Sequence, residues 1–343
     1  MGNSTVAAVL TFLLWLLDLR FIFKSESSVR KFCNNRMLVS KAPATVPGNL
    51  KKRYIVRERE MASDQWKIVT FESKPAVAAA QSNGKTISIL FFHGGAFVVG
   101  ASMMHWNLID DLMKAAIDDR GFGRVVLIMP LYGRSPEYTH ADFYPLMLDH
   151  YSEVSKTADF AASSRVIFMG DSAGGNLALS FALQLKPGHH RDPDSIVLLS
   201  PWLDLCLSNK GIRDKAREDY VLARNGLLAA GKWWSRVTCN CFDDMPSESE
   251  SEKKLDPENC PIKHPFLSPM RMRKEPRMAV HVFIGSRDIF EPDCVDFAAK
   301  FPNQVRLHRY EGMFHVWMMY PVPMVEKTQA LNEIYDIFGK GEK

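Results

Sequence analysis

The chain has little excess of either charge. Its 343 residues include 43 lysines and arginines against 39 aspartates and glutamates, a formal net charge of +4 at pH 7. Proteins that bind nucleic acid usually carry a pronounced basic patch, so this balance argues against a nucleic-acid partner. The chain is 46% hydrophobic and 24% charged, which is the composition of a globular protein with a substantial core. Its length is compatible with one large domain or with two.

Cysteine is also scarce and irregularly spaced. The 6 cysteines stand at positions 33, 206, 239, 241, 260 and 294. A small disulfide scaffold needs a denser and more regular set, so this fold class is excluded. Cys239, Cys241, Cys260 and His264 could be considered as metal ligands, but their spacing matches no common zinc motif. We therefore expect no bound metal.

The sequence also lacks a hydrophobic run of the length that a full bilayer span usually takes. The segment from Val6 to Leu17 is apolar apart from Thr11, about 12 residues where a full span takes about 20. It could be an anchor, a signal-peptide core or an interfacial helix. No basic residue precedes it and no small-residue cleavage pattern follows it, which favours a retained anchor within residues 1–24. The basic residues that follow would place the body of the protein on the cytosolic side.

Beyond about residue 50 the sequence alternates β-type and helical segments. This order is typical of an α/β fold with a mostly parallel central sheet flanked by helices. The predicted strands are Ile87–Phe92, Val125–Pro130, Arg165–Met169, Ser195–Leu199, Val280–Ile284 and Val305–Tyr310, and Gln65–Glu72 is expected in an edge hairpin. The segment from Leu203 to His264 breaks the alternation. We interpret it as an insertion with a surface loop at Pro246–Pro257.

The strongest local motif is Gly170-Asp171-Ser172-Ala173-Gly174-Gly175. It follows a predicted strand and opens a helical segment, which is the setting that G-x-S-x-G requires for a nucleophile elbow. A serine on this tight turn is held at the carboxyl edge of the sheet, in front of a helix N-terminus with free N–H groups. The motif therefore predicts Ser172 as a nucleophile.

A second motif, His93-Gly94-Gly95-Ala96, follows the strand Ile87–Phe92. Glycines allow backbone N–H groups to approach a ligand, and such donors stabilise the oxyanion that forms during acyl transfer. We assign the N–H groups of Gly94, Gly95 and Ala173 as these donors. His93 is interpreted as a structural residue because it belongs to this loop.

A serine nucleophile needs a histidine that takes its proton and a carboxylate that orients the histidine. His315 is the best candidate for the base because it lies in a loop just after the last predicted strand. The alternatives are His264, His281 and His308. Asp288 follows the strand Val280–Ile284 and is the candidate acid, with Asp293 as the alternative that could instead cap the next helix.

With these motifs in place, residues 85–320 resemble the hormone-sensitive-lipase branch of the α/β-hydrolase superfamily. This branch includes arylacetamide deacetylases, fungal steryl acetyl hydrolases and microbial esterases. The resemblance is carried by the His93-Gly94-Gly95 loop, the Gly170–Gly175 elbow, Ser200-Pro201-Trp202, Asp288 and His315, in the order nucleophile, acid, histidine. Ala96 stands where many relatives have a third glycine, a change that a backbone donor tolerates.

The resemblance implies hydrolysis of carboxylic esters through an acyl-serine intermediate, without metal or organic cofactor. It also implies one hydrolase domain over residues 25–343, with a cap from about residues 25–60 and 203–264. Anchored relatives often face the lumen of the endoplasmic reticulum, which conflicts with the charge rule. We therefore expect membrane association at the endoplasmic reticulum and leave its side open.

The expected substrate is a lipophilic ester with a short, acetyl-type acyl group. Its contacts are expected from Phe97, Trp202 and Trp317, with Trp233, Trp234, Met318 and Met319 as further aromatic and methionine candidates. Two alternatives remain open: a small-molecule-binding protein without catalysis on the same fold, and an amidase or deacetylase that uses the same three residues.

Overall fold

The strands of the sheet account for the alternation in the sequence. The computed structural model describes residues 27–28, 44–61, 66–75, 84–161, 163–237 and 261–339. The described strands are β1 Ile55–Glu60, β2 Lys67–Glu72, β3 Thr86–Phe92, β4 Arg124–Leu131, β5 Arg165–Asp171, β6 Ser195–Leu199, β7 Ala279–Gly285 and β8 Val305–Tyr310. All six predicted parallel-type strands are present, and most extend by one or two residues beyond their predicted ends.

Helices connect most of these strands. The described helices are α1 Gly48–Arg53, α2 Met103–Lys114, α3 His140–Ser155, α4 Ala158–Ala161, α5 Ala173–Gln184, α6 Ile212–Glu218, α7 Arg224–Ser235, α8 Glu291–Lys300 and α9 Val325–Gly339. A π-helical turn, Ala115–Asp119, extends α2. No helix in the described ranges is both long and apolar enough to cross a membrane.

The strands form one sheet in the order β1-β2-β4-β3-β5-β6-β7-β8. β1 and β2 pair antiparallel, and β2 pairs antiparallel with β4. Every pair from β4 through β3 to β8 is parallel. The mostly parallel α/β fold is therefore confirmed. Gln65 lies outside the described residues, but the hairpin expected there is formed by β1 and β2.

The N-terminal boundary of the expected cap is partly wrong. Residues 55–60 form β1, whose backbone pairs with β2 along its whole length, so this segment belongs to the sheet. α1 before it is fixed by the buried side chains of Leu50 and Tyr54. Of the insertion, α6 and α7 are described. The proposed anchor at residues 1–24 and the loop Pro246–Pro257 lie outside the described residues.

Two hydrophobic layers cover the faces of the sheet. The neighbours Phe91 and Phe92 on β3 point to opposite faces because side chains alternate along a strand. Phe92 packs in one layer with Phe143 of α3 and Leu177 of α5. Phe91 packs in the other layer with side chains of α2 and α9, such as Trp106. The helices thus fix the sheet from both sides, and the loops at its carboxyl edge start from rigid strands.

The first turn of α5 lies unusually close to β3. A Cβ atom at Gly174 would stand 2.0 Å from the carbonyl oxygen of Phe92, and one at Gly170 would stand 2.3 Å from the carbonyl oxygen of Gly174. Both obstacles are backbone atoms, which cannot rotate away. Only glycine therefore permits this approach of helix and strand.

We expect Gly174→Ala to reduce the free energy of unfolding by about 1–3 kcal/mol or more, because the added methyl group must push α5 away from β3. Denaturation with urea would measure this loss. Gly48→Ala is the matched control, since a Cβ atom at Gly48 meets nothing within 4 Å. Equal stability of the two variants would contradict the packing argument.

Candidate active site

Ser172 lies at the turn between β5 and α5. Its φ of 53° and ψ of −119° are rare for a residue with a side chain and cost roughly 1–3 kcal/mol of strain. Two backbone hydrogen bonds hold this conformation: Ser172 N–H donates to the carbonyl oxygen of Leu199 at 2.8 Å, and the Ser172 carbonyl oxygen accepts from Trp202 N–H at 3.0 Å. The strain is thus maintained by the neighbouring strand β6 and the loop that follows it.

His315 and Asp288 form a buried pair. Nδ1 of His315 lies 3.0 Å from Oδ2 of Asp288, and their exposed fractions are 4% and 0%. Oδ1 of Asp288 accepts a hydrogen bond from Phe290 N–H at 3.0 Å, which fixes the carboxylate. Burial is the largest single influence and lowers the pKa of His315, but the charge and hydrogen bond of Asp288 together with the charges of Asp219 and Asp171 outweigh it, so the pKa is raised. With its proton on Nδ1, the imidazole keeps Nε2 free to accept a proton, as a general base requires.

Ser172 and His315 border the same cavity, so the structure brings the predicted nucleophile and base to one site. The space open to the centres of water molecules there is about 90 Å³. Much of the remaining wall is aliphatic or sulfur-containing: Val99, Met104, Val221, Leu222, Val316 and Met319. A larger groove of about 880 Å³ lies elsewhere, between the end of α5 and residues 263–278, and it contains none of the candidate catalytic residues.

The alternative acid and base residues are placed elsewhere. Nδ1 of His281 lies 3.1 Å from Nε2 of His308, and Nδ1 of His308 contacts Glu333. His264 precedes the short 3₁₀ turn at Pro269–Arg271, and its ring contacts Phe266. Asp293 is buried within α8, where burial and then the charge of Asp204 raise its pKa. None of these side chains borders the cavity that contains Ser172.

The structure changes the assignment of donors in the loop His93–Ala96 after β3, which we call the oxyanion loop. Gly94 N–H donates a hydrogen bond of 2.9 Å to Oδ1 of Asp171, so it is already engaged and the assignment of Gly94 as a donor to substrate is wrong. Gly95 and Ala96 border the cavity instead, at φ values of 113° and 50°. Ala173 begins α5, where N–H groups have no partner within the helix. The donors that fit the geometry are therefore Gly95, Ala96 and Ala173.

Asp171 and His105 form a polar contact that the sequence did not reveal. Ser102 N–H donates to Nδ1 of His105 at 2.9 Å, so Nε2 of His105 carries the proton, and Nε2 lies 3.4 Å from Oδ1 of Asp171. The same oxygen accepts from Gly94 N–H. His105 thus supports the carboxylate that fixes the oxyanion loop. In the sequence, the spacing of His105 from Ser102 is typical of a helix cap, and this spacing could have identified His105 as a structural residue.

His93 is enclosed beside this loop. Its ring stacks on Tyr132 with centroids 4.2 Å apart, and Tyr132 Oη donates to the carbonyl oxygen of His93 at 2.8 Å. Burial, and then the nearby His105, lower the pKa of His93 to about 3. The imidazole is therefore neutral at physiological pH and supports the loop by packing.

The segment Ser200-Pro201-Trp202 joins the nucleophile to the histidine. Oγ of Ser200 accepts a hydrogen bond from Val316 N–H at 3.0 Å, next to His315. Ser200 N–H donates to the carbonyl oxygen of Phe283, and Trp202 N–H donates to that of Ser172. These hydrogen bonds therefore tie the loop of the candidate nucleophile to the loop of the candidate base.

The three aromatic residues expected to bind substrate lie in the core instead. Phe97, Trp202 and Trp317 are each 0% exposed, and none borders the cavity. Phe97 stacks on Trp234, and Trp202 stacks on Phe290. The gain from burying such large rings explains why they pack inward. Of the additional candidates, Met319 does border the cavity.

Metal binding gains no support from the described side chains. Within the described ranges, no group of three or more histidine, cysteine, aspartate or glutamate residues is placed to hold a metal ion. Cys239, Cys241 and Cys260 lie outside these ranges. Cys206 and Cys294 are buried thiols.

Comparisons with known proteins agree with this architecture. A family described by its alpha/beta hydrolase fold matches residues 89–319. An esterase of Acinetobacter venetianus is 27% identical over 249 residues, which are 72% of this chain and 72% of that protein. Steryl acetyl hydrolase 1 of Saccharomyces cerevisiae is 23% identical over 128 residues, 37% of this chain and 29% of that protein.

Solved structures extend the likeness to the three-dimensional fold. A hormone-sensitive lipase from a metagenome library superimposes with a TM-score of 0.65 at 19% identity, covering 92% of both chains. At this identity the likeness concerns the fold alone. Because the family match runs from residue 89 to residue 319 and so spans most of the chain, this protein belongs to the family described by the alpha/beta hydrolase fold.

Proposed function

We propose that the protein is a carboxylic-ester hydrolase that acts through an acyl-serine intermediate. The observation that carries the proposal is the shared cavity of Ser172, on its strained elbow, and His315, whose Nδ1 is held by Asp288. This is the arrangement that activates a serine hydroxyl. The names of the relatives, an esterase and an acetyl hydrolase among them, support the same reaction class.

The reaction would proceed in two steps. Oγ of Ser172 attacks the ester carbonyl carbon while its proton moves to Nε2 of His315, and the carbonyl oxygen becomes an oxyanion facing the N–H groups of Gly95, Ala96 and Ala173. The intermediate collapses when His315 gives the proton to the leaving alcohol. A water molecule then loses a proton to His315 and attacks the acyl carbon, which releases the carboxylic acid and restores Ser172.

The electrostatics of the site favour this proton transfer. His315 gains a positive charge in each transition state, and the Asp288 carboxylate stabilises that charge. Because the folded protein raises the pKa of His315, activity is expected to fall as the pH decreases through that raised value, when the base becomes protonated. Three backbone donors on the opposite side of the substrate balance the negative oxyanion, and each can contribute about 3–4 kcal/mol.

The cavity favours a short acyl group. Its wall is formed largely by aliphatic side chains and methionines, and its volume is small. Such a wall accommodates an acetyl or butyryl chain by burial of apolar surface but provides few partners for polar groups. We therefore assign lipophilic esters with short acyl chains as the substrate class.

Labelling with a fluorophosphonate probe tests the proposed nucleophile. The wild-type protein should be labelled and should hydrolyse p-nitrophenyl acetate, whereas Ser172→Ala should lose both properties. Ser180→Ala is the matched control, because Ser180 is a buried serine of α5 that does not border the cavity. An unlabelled wild-type protein that binds esters without turnover would instead indicate a non-catalytic binding protein. Matched ester and amide substrates would distinguish an esterase from an amidase.

Leu222→Ala is expected to broaden the acyl preference, because it removes apolar volume from the cavity wall. The ratio of kcat/KM for an octanoyl ester to that for an acetyl ester should rise by about 10-fold, the effect of roughly 1.4 kcal/mol. Leu227→Ala removes the same volume from a fully buried position of α7, away from the cavity. An equal rise in this control, or no rise in Leu222→Ala, would refute the acyl-wall assignment.

Ser200→Ala is expected to lower kcat more than it changes KM. The substitution leaves the buried Val316 N–H without its partner, which costs about 1–3 kcal/mol and loosens the loop that holds His315. The measurement is steady-state kinetics with p-nitrophenyl acetate, together with thermal unfolding. In the control Ser180→Ala, any loss should appear in stability and not in kcat.

Membrane association through residues 1–24 stays a prediction. Protease protection in intact microsomes would determine the side of the membrane, since cleavage of the body without detergent indicates a cytosolic orientation.

A further inference from the structure

Asp219 is a fully buried carboxylate just after α6, within the insertion. It is 0% exposed, and both of its oxygens accept hydrogen bonds from backbone N–H groups. Oδ1 accepts from Val221 at 2.7 Å and from Leu222 at 2.8 Å. Oδ2 accepts from Ile289 at 2.8 Å. One side chain therefore joins two segments that are 70 residues apart in the sequence.

Both of these segments belong to the active site. Val221 and Leu222 form part of the cavity wall. Ile289 directly follows Asp288, whose Oδ2 lies 3.0 Å from Nδ1 of His315. A displacement of the Asp219 carboxylate would therefore move the acyl-facing wall and the triad acid at the same time.

The charge of Asp219 also acts on the catalytic pair. Burial raises the pKa of Asp219 to about 6, and the charge of Asp288 adds to the rise, while His315 and the N–H groups oppose it. The carboxylate is thus ionised at neutral pH. Among the influences on His315, burial lowers its pKa, whereas Asp288 and then Asp219 raise it. Tyr320 also faces this cluster, and burial followed by the charge of Asp219 raises the pKa of its phenol.

We propose that Asp219 is a positioning residue of the active site. It holds the cavity wall at Val221 and Leu222 in a fixed position relative to the loop that contains Asp288, and its negative charge stabilises the imidazolium form of His315. The inference rests on the proposed ester hydrolysis and deepens it. It gives the inserted segment a part in the chemistry as well as in the enclosure of the substrate.

Three donors and two acceptor oxygens make this position sensitive to the chemical nature of the side chain. In Asp219→Asn, the amide nitrogen would face at least one backbone N–H, so one hydrogen bond is replaced by an opposition of two donors and the negative charge is lost. Asp219→Glu keeps the charge and both acceptors. Asp293→Asn is a matched control, because Asp293 is also 0% exposed, lies close to Asp288 in the sequence and does not border the cavity.

The test is the pH dependence of kcat and kcat/KM for p-nitrophenyl acetate with the full-length protein. Asp219→Asn should lower kcat by about 10-fold or more with a smaller change in KM. The decrease of kcat/KM on the acidic side of the pH profile should move to lower pH in this variant, because the negative charge of Asp219, which raises the pKa of His315, is lost. Asp219→Glu should restore the acid limb towards that of the wild type, and Asp293→Asn should leave it in place.

A measurement on the wild type keeps the inference testable if Asp219→Asn does not fold. Protonation of Asp219 would place a proton against the backbone N–H groups that its oxygens accept from, and would break at least one of these hydrogen bonds. Activity should therefore depend on two protonations, of His315 and of Asp219. The acid limb of log kcat/KM should then be steeper than a slope of one. A slope of one in the wild type, or an unshifted acid limb in folded Asp219→Asn, would overturn the inference. An inactive, unlabelled wild-type protein would instead refute the proposed function itself.

Discussion

The close approach of α5 to β3 is the constraint on which the geometry of the site depends. At Gly174 the helix backbone lies against the carbonyl group of Phe92, where a Cβ atom would be only 2.0 Å from oxygen. The same approach brings the elbow beside the loop that follows β3, so that Asp171 can hold Gly94 N–H. A wider separation would break this hydrogen bond and withdraw the oxyanion loop from the serine.

Buried carboxylates organise the remainder of the site. Asp171 holds Gly94 N–H, Asp288 holds His315, and Asp219 holds Ile289 N–H beside Asp288. Each accepts at least one hydrogen bond from a backbone N–H, which offsets part of the cost of burying its charge. The arrangement places negative charge around the imidazole and directs backbone donors towards the place of the oxyanion. In the proposed acyl transfer, the positive and negative charges that develop would thus be met on opposite sides.

The sequence predicted the parts of the site that depend on local order. Ser172 follows a strand and precedes a helix, and Asp288 and His315 follow strands of the same sheet, so their meeting could be inferred from the parallel topology. The choice among Gly94, Gly95 and Ala96 could not be made, because only the structure shows which N–H is engaged by Asp171. In that case spacing along the chain carries no information about the partner.

Two other features of the site could not be predicted from the sequence, because they also depend on contacts between residues that are distant along the chain. An aromatic side chain such as Phe97 is equally suited to a cavity wall and to the core, and only the packing of Trp234 against it decides between them. Asp219 follows a short helix in a segment without a motif, and its partner Ile289 is distant in sequence. The resemblance implied that residues 55–60 belong to the cap, and only their pairing with β2 shows that they belong to the sheet.

The position of β8 has a consequence for how the protein responds to heat. Ser172 follows β5 in the interior of the sheet, whereas His315 follows β8, which within the described sheet pairs with β7 alone. Strands at an edge exchange their amide hydrogens and open at lower free energy than central strands. His315 is therefore expected to leave its place by a local opening while Ser172 and most of the core remain folded. Inactivation on warming would then begin before the cooperative unfolding of the domain.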